Sequence, residues 1–62
     1  MVQWFKGNIH CHTTNSDGGA TPMDLVRYYK EAGFDFVSIT DHNHITYQKE
    51  TGFSAQEILV IP

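Results

Sequence analysis

Residues 21–42 read TPMDLVRYYKEAGFDFVSITDH, and this stretch decides the fold class. Thr21 can cap a helix, and Pro22 suits the first helical position. Apolar residues then recur at helical spacing until Gly33, a residue typical of helix ends. The stretch therefore predicts a helix over residues 22–32, and an apolar segment follows it directly.

That apolar segment, residues 34–40, predicts a strand buried on both faces, as in a parallel sheet. Residues 3–12 alternate loosely and predict a first strand, and residues 58–61 predict a third. Residues 46–53 look irregular. Strand–helix–strand order makes parallel sheets, so the predicted fold class is α/β, a βαβ(αβ) arrangement.

Ser54 and Glu57 have the spacing of a helix cap, so we expect a short helical start before the third strand. Three strands with about one helix cannot cover both faces of their sheet. We therefore interpret residues 1–62 as the amino-terminal fragment of a larger α/β domain, and we expect it to be inactive when isolated.

Composition limits the function classes. The chain has 62 residues, a net charge of -3, one cysteine and four histidines. The chain has no basic cluster of the kind that indicates a nucleic-acid surface. It also has no apolar run close to the length of a membrane helix. The opening MVQWFKG lacks the features of a signal peptide, so we expect a cytoplasmic protein. Chains this small often need a structural metal or disulfides, and one cysteine excludes an internal disulfide.

Four side chains could gather at one edge of this sheet. His10 and His12 are two residues apart, so on a strand they point to the same side. Asp17 follows in a loop, and His42 follows the second strand. Because ligands collect beyond the carboxyl ends of parallel strands, we predict a metal site here. Imidazole and carboxylate ligands suit zinc, manganese or iron.

Other interpretations of these residues stay open. A His-x-His pair or an Asp-Gly-Gly segment can be a simple polar turn. Asp41 is predicted to support a metal-bound histidine, and Asn43 to do the same, touch substrate or form a turn. His44 is predicted to be an exposed loop residue. Cys11 could be a nucleophile, but adjacent strand residues face opposite sides, so burial is favoured.

Two segments, IHCHTTNSDGGATP (9–22) and GFDFVSITDHN (33–43), resemble the polymerase and histidinol phosphatase (PHP) superfamily. The resemblance implies a distorted barrel of strand–helix units that binds two or three divalent ions. It implies that His10 and His12 bind one ion and that Asp17 and His42 bind another. Further ligands of the family, including a bridging glutamate, are not found in this chain.

The family reaction is phosphoester hydrolysis by a metal-activated water, with the residues above acting as ligands. The resemblance implies a hydrolase acting on a small phosphate ester or nucleotide. A polymerase-associated exonuclease or a degenerate structural domain is the alternative within the family, and a non-catalytic metal-binding fragment is the alternative outside it. Nucleic acid would be contacted only through other parts of the protein, and no membrane contact is expected.

Overall fold

The computed structural model describes residues 4–62. Residues 1–3 lie outside the described residues; they belong to the opening MVQWFKG, and residue 3 is also the first of the predicted first strand. The elements follow one another as a strand, a helix, a strand, a short 3₁₀ helix and a strand. They are β1 (Gly7–Cys11), α1 (Pro22–Glu31), β2 (Phe36–Ile39), the 3₁₀ helix (Gln48–Thr51) and β3 (Leu59–Ile61).

The three strands form one parallel sheet in the order β1-β2-β3. Val37 of β2 is aligned with Asn8 of β1 on one side and with Val60 of β3 on the other. The α/β class and the parallel pairing are therefore confirmed. The sheet made by residues 4–62 is open, so closure into a barrel stays a prediction.

Helix α1 has the ends that its sequence predicts. The backbone N–H of Asp24 donates to the Thr21 hydroxyl at 3.2 Å, which caps the first turn. At the other end Gly33 has φ of 86°, a left-handed conformation that glycine adopts at little cost. Its N–H donates to the Lys30 carbonyl at 3.0 Å, so the last turn is closed.

Two local predictions between β2 and β3 need correction. The region predicted to be irregular contains the 3₁₀ helix, whose first turn is closed by Glu50 accepting from the Tyr47 N–H at 2.9 Å. Ser54 and Glu57 do exchange hydrogen bonds, at 3.2 and 3.3 Å, but they form only a turn. A helix cannot extend from it, because β3 begins two residues after Glu57.

The core lies between α1 and one face of the sheet. Val26 of the helix is fully buried, and it belongs to the same cluster as Val37, Ile39, Ile58, Val60 and Cys11. The opposite face is open: Leu59 and Ile61 are exposed, and Phe36 is half-buried. The prediction that β2 is buried on both faces is thus wrong for residues 4–62, because the one helix covers one face. Among these residues, no helix has the length and apolarity needed to cross a membrane.

Candidate metal centre

A β-bulge sets the direction of the side chains at the end of β1. The register with β2 shifts between Asn8 and Cys11, so β1 has an extra residue there. The Asn8 side chain occupies the bulge: its Oδ1 accepts from the His10 N–H at 3.0 Å, and its amide donates to the Tyr29 hydroxyl at 2.6 Å. The helix thereby holds the backbone from which His10 projects.

His10 and His12 lie on the same side, as the two-residue spacing predicts. Their Nε2 atoms are 3.2 Å apart, and their rings are nearly perpendicular at 88°. Two nitrogens bound to one tetrahedral ion at about 2.0–2.1 Å lie roughly 3.3 Å apart. This separation suits a hydrogen bond between the two rings and also suits shared binding of one ion. A neutral His12 ring has one lone pair, so it binds an ion through Nε2 or through Nδ1, and not through both.

A second group of ligand atoms meets on the other side of the His12 ring. His12 Nδ1 lies 3.7 Å from an Asp17 carboxylate oxygen, and His42 Nε2 lies 3.6 Å from the other oxygen. All three groups offer ligand atoms within 4.8 Å of one another. The structure thus brings together the residue that directly follows β1, a residue of the loop after it and a residue of the turn after β2.

The rings of His12 and His42 are stacked, with centroids 4.7 Å apart and planes 12° apart. The lone pair of a ring nitrogen lies in the plane of its ring. In two stacked rings these lone pairs do not point at a common position, so one ring must turn before both can bind the same ion. His42 is exposed, whereas His12 is half-buried. The His42 ring is therefore the one with room to turn.

The chemistry of these donors fits a divalent cation. Among residues 4–62, the Nδ1 of His12 is a buried ring nitrogen that has no hydrogen-bond partner. Buried polar atoms are normally paired, and an ion is one way to satisfy such a nitrogen. Two or three imidazoles with one carboxylate are ligands that zinc, manganese and iron accept.

Asp41 directly precedes His42, and within residues 4–62 its carboxylate makes no hydrogen bond to a histidine ring. Its carboxylate accepts from the Thr13 N–H and hydroxyl, both at 2.6 Å, from the Ser16 hydroxyl at 2.7 Å and from the Thr46 hydroxyl. The partners of Asp41 are thus hydroxyl groups and a backbone N–H instead of the histidine ring that the sequence suggested, and its role in supporting a metal site stays a prediction. Burial disfavours the charged carboxylate, but these hydrogen bonds outweigh it and lower the pKa of Asp41 well below the ordinary value.

The three hydroxyl residues around Asp41 are functional candidates that the sequence did not suggest. Thr13 and Thr46 are fully buried, and Ser16 is half-buried. Threonine and serine are common in exposed loops, so their presence in a polar loop carries no signal of burial. What could have drawn attention is the density of hydroxyl residues on both sides of the candidate ligands.

Asn43 and His44 have roles in the turn after β2. Asn43 has φ of 52°, a left-handed conformation that asparagine tolerates better than most residues, and this favours its interpretation as a turn former. His44 is exposed, and its Nε2 lies 3.8 Å from Glu50. His44 therefore points toward the 3₁₀ helix and does not belong to the group formed by His12, Asp17 and His42.

Cys11 faces the core, as predicted. Its Sγ donates to the Ser38 carbonyl at 3.3 Å, and only 8% of the residue is exposed. Burial, with a smaller contribution from the charge of Asp41, raises the pKa of the thiol. A raised pKa leaves less thiolate at neutral pH, so Cys11 is poorly suited to act as a nucleophile.

The sequence of the chain is similar to part of one named protein. The chain is 34% identical over 53 residues to a protein of Haemophilus influenzae (strain ATCC 51907 / DSM 11121 / KW20 / Rd) named 5'-3' exoribonuclease. The match covers 86% of this chain but only 19% of that protein. The chain thus spans about a fifth of the relative's length. No protein-family model and no solved structure matches the chain.

Proposed function

We propose that the chain contributes the first ligands of a metal-dependent phosphoesterase of the PHP type, and that its substrate is RNA cleaved from the 5' end. The observation that carries the proposal is the meeting of His12, Asp17 and His42 around a buried imidazole nitrogen that has no hydrogen-bond partner within residues 4–62. The similarity to a protein named 5'-3' exoribonuclease supports the choice of substrate.

The similarity to this relative changes which of the candidate substrates is favoured. Sequence motifs alone favour a small phosphate ester or nucleotide and leave an exonuclease as the alternative. The name of the relative favours the exonuclease, without favouring an association with a polymerase. Both substrates contain a phosphoester bond, so the same metal centre could serve either.

In this proposal the chain's own residues bind the metal ions and orient them. His10, His12 and His42 supply imidazole nitrogens, and Asp17 supplies a carboxylate. Divalent ions bound by such ligands polarise phosphoryl oxygens and lower the pKa of bound water. The net charge of -3 repels an RNA backbone, so the phosphate contacts depend on cations or on basic residues beyond this chain.

The test uses the protein expressed from the complete reading frame that contains this chain, called the parent protein below. It is stripped with a chelator, reloaded with Mn²⁺ or Zn²⁺, and given RNA labelled at its 3' end. We expect metal-dependent release of mononucleotides from the 5' end, seen as progressive shortening of the labelled strand. Para-nitrophenyl phosphate serves as the small-ester comparison.

The outcomes separate the candidate functions. Hydrolysis of the small ester without RNA cleavage would return the assignment to a small-substrate phosphatase. Binding of metal without turnover of either substrate would indicate a non-catalytic metal-binding protein. Turnover that persists after complete metal removal would contradict the metal-dependent mechanism altogether.

Variants of the parent protein test the ligand assignment. His10→Ala and His42→Ala should each abolish RNA cleavage and lower the metal content measured by mass spectrometry. His44→Ala is the matched control, because His44 is two residues from His42 but points toward Glu50. Equal metal content and turnover in all three variants would show that these histidines are not ligands.

A further inference from the structure

His12, Asp17 and His42 each have a chain neighbour that belongs to one hydrogen-bond network. His12 precedes Thr13, Asp17 follows Ser16, and His42 follows Asp41. Thr13 and Ser16 both donate to the Asp41 carboxylate. The network therefore joins the three backbone segments that carry the candidate ligands.

The geometry of the loop after β1 depends on the same network. Thr13 donates to Asp41 through its N–H and its hydroxyl, while its carbonyl accepts from the Ser16 and Gly18 N–H groups at 3.0 and 2.9 Å. The turn that presents Asp17 is therefore closed on Thr13 and fastened to Asp41 at both Thr13 and Ser16. Asp17 itself is 68% exposed, so few other contacts hold its position.

The loop after β2 is fastened in the same way. Thr46 is fully buried, and its hydroxyl donates to Asp41. Asn15 extends the network, because its amide donates to Thr46 Oγ1 at 3.0 Å and to Glu50 at 3.1 Å. The segment that contains His42 is thus closed at its start by Asp41 and at its end by Thr46.

We propose that Asp41 is a positioning residue that fixes the separation of His12, Asp17 and His42, and that it acts through hydroxyl groups without binding the ion. The inference rests on the proposed metal centre and adds to it the device that holds the ligands at binding distance. A carboxylate suits this task because its two oxygens accept several hydrogen bonds, and hydrogen bonds to a charged acceptor are stronger than neutral ones.

Asp35 offers a matched control on the same strand. It precedes β2 as Asp41 follows it, and its carboxylate accepts from the Lys6 N–H at 2.8 Å. Removing either carboxylate costs the fold hydrogen bonds, but only Asp41 is joined to the candidate ligands. A purely structural role for Asp41 would therefore make Asp41→Asn and Asp35→Asn alike in their effects on ion binding.

The experiment is a Co²⁺ titration of the parent protein, followed by the visible absorption of the bound ion. We expect Asp41→Asn to weaken Co²⁺ binding at least tenfold and to change the absorption spectrum at saturation, because the ligand geometry changes. Asp35→Asn should match the wild-type protein in both. Circular dichroism of each variant reports separately on folding.

A milder variant keeps the test decisive if Asp41→Asn does not fold. Ser16→Ala removes one donor to Asp41 at the residue next to Asp17, and we expect several-fold weaker Co²⁺ binding with the fold retained. Wild-type affinity and spectrum in Ser16→Ala and in every folded Asp41 variant would overturn the positioning role. If the wild-type protein binds no Co²⁺, the proposed metal centre fails instead.

Discussion

The two ends of the parallel sheet use polar groups in opposite ways. At the amino end, Lys6 and Asp35 satisfy each other: the Asp35 N–H donates to the Lys6 carbonyl at 2.6 Å, and the Lys6 N–H donates to the Asp35 carboxylate. The Asp35 carbonyl in turn accepts from Leu59 at 3.1 Å. These groups are consumed in joining β1, β2 and β3.

At the carboxyl end, one carboxylate takes up the hydroxyl groups, and one imidazole nitrogen stays without a hydrogen-bond partner among residues 4–62. Asp41 takes up the hydroxyls of Thr13, Ser16 and Thr46. The Nδ1 of His12 is buried without a hydrogen-bond partner among the described residues. A polar group that the fold leaves without a hydrogen-bond partner is thus the one available to bind a ligand.

The largest expected effect is that of removing the imidazole between the two groups of ligand atoms. His12→Ala in the parent protein should lower metal affinity by more than about 100-fold, above the loss typical of residues that only support a ligand. Metal content after dialysis against a weak chelator measures this effect. Lys6→Ala, at the amino end of the sheet, is the control. An equal loss of metal in Lys6→Ala would show that metal binding does not depend on the carboxyl end in particular.

The next effect concerns two adjacent glycines in the loop that carries Asp17. A Cβ at Gly18 would lie 2.2 Å from the His12 carbonyl oxygen, whereas a Cβ at Gly19 would meet nothing within 4 Å. Gly18→Ala should therefore displace the loop, at a cost of about 1–3 kcal/mol, and weaken metal binding. Gly19→Ala should leave both the unfolding free energy and the metal affinity near wild type.

A third glycine tests whether such strain acts locally. A Cβ at Gly7, near the amino end, would lie 2.0 Å from the Phe36 ring. Gly7→Ala should lower the midpoint of chemical denaturation because the ring must move, yet it should spare Co²⁺ affinity. Weakened binding in folded Gly7→Ala would show that the sheet transmits strain from one end to the other.

Protonation of Asp41 at low pH should destabilise the fold at the carboxyl end of the sheet. Because the folded-state pKa of Asp41 lies below the ordinary value of about 3.9, ionised Asp41 stabilises the fold above that pH. This contribution is lost as the pH falls through the folded-state pKa. Denaturation midpoints of the parent protein should thus decline below about pH 4.

Two variants isolate the contribution of Asp41 to this acid limb. Asp41→Asn should flatten the decline, since the titrating carboxyl group is gone. Thr46→Val, which removes one donor to the carboxylate, should flatten it in part. An acid limb identical in all three proteins would mean that Asp41 does not contribute to it.

The smallest expected effect is at the turn after β2. Asn43 has a left-handed backbone, so Asn43→Val should cost about 1–2 kcal/mol of unfolding free energy, whereas Asn43→Gly should be nearly neutral. Thermal denaturation of the parent protein measures both. If Asn43→Gly also impaired RNA cleavage in a folded protein, Asn43 would be assigned a contact with substrate as well.

Much of the fold was accessible from local sequence. The limits of α1 follow from Thr21 and Gly33, whose preferences act within one turn. The parallel pairing follows from strand–helix–strand order, and that pairing in turn predicts that His12 and His42 meet at one edge. Ser54 and Glu57 show the limit of such reasoning, because their capping pattern forms a turn where too few residues remain for a helix.

The residues alone predict the order of elements, the helix ends and the edge at which His10, His12, Asp17 and His42 gather, since these follow from short-range preferences and simple topology. Tertiary contacts were needed to show that Asp41 binds hydroxyls, that a bulge directs His10, and that the Nδ1 of His12 has no hydrogen-bond partner in the described part of the chain. Those outcomes depend on partners as many as 28 residues apart in the chain. Burial and pairing of a polar group are properties of the packed molecule, which no local pattern of serines and threonines encodes.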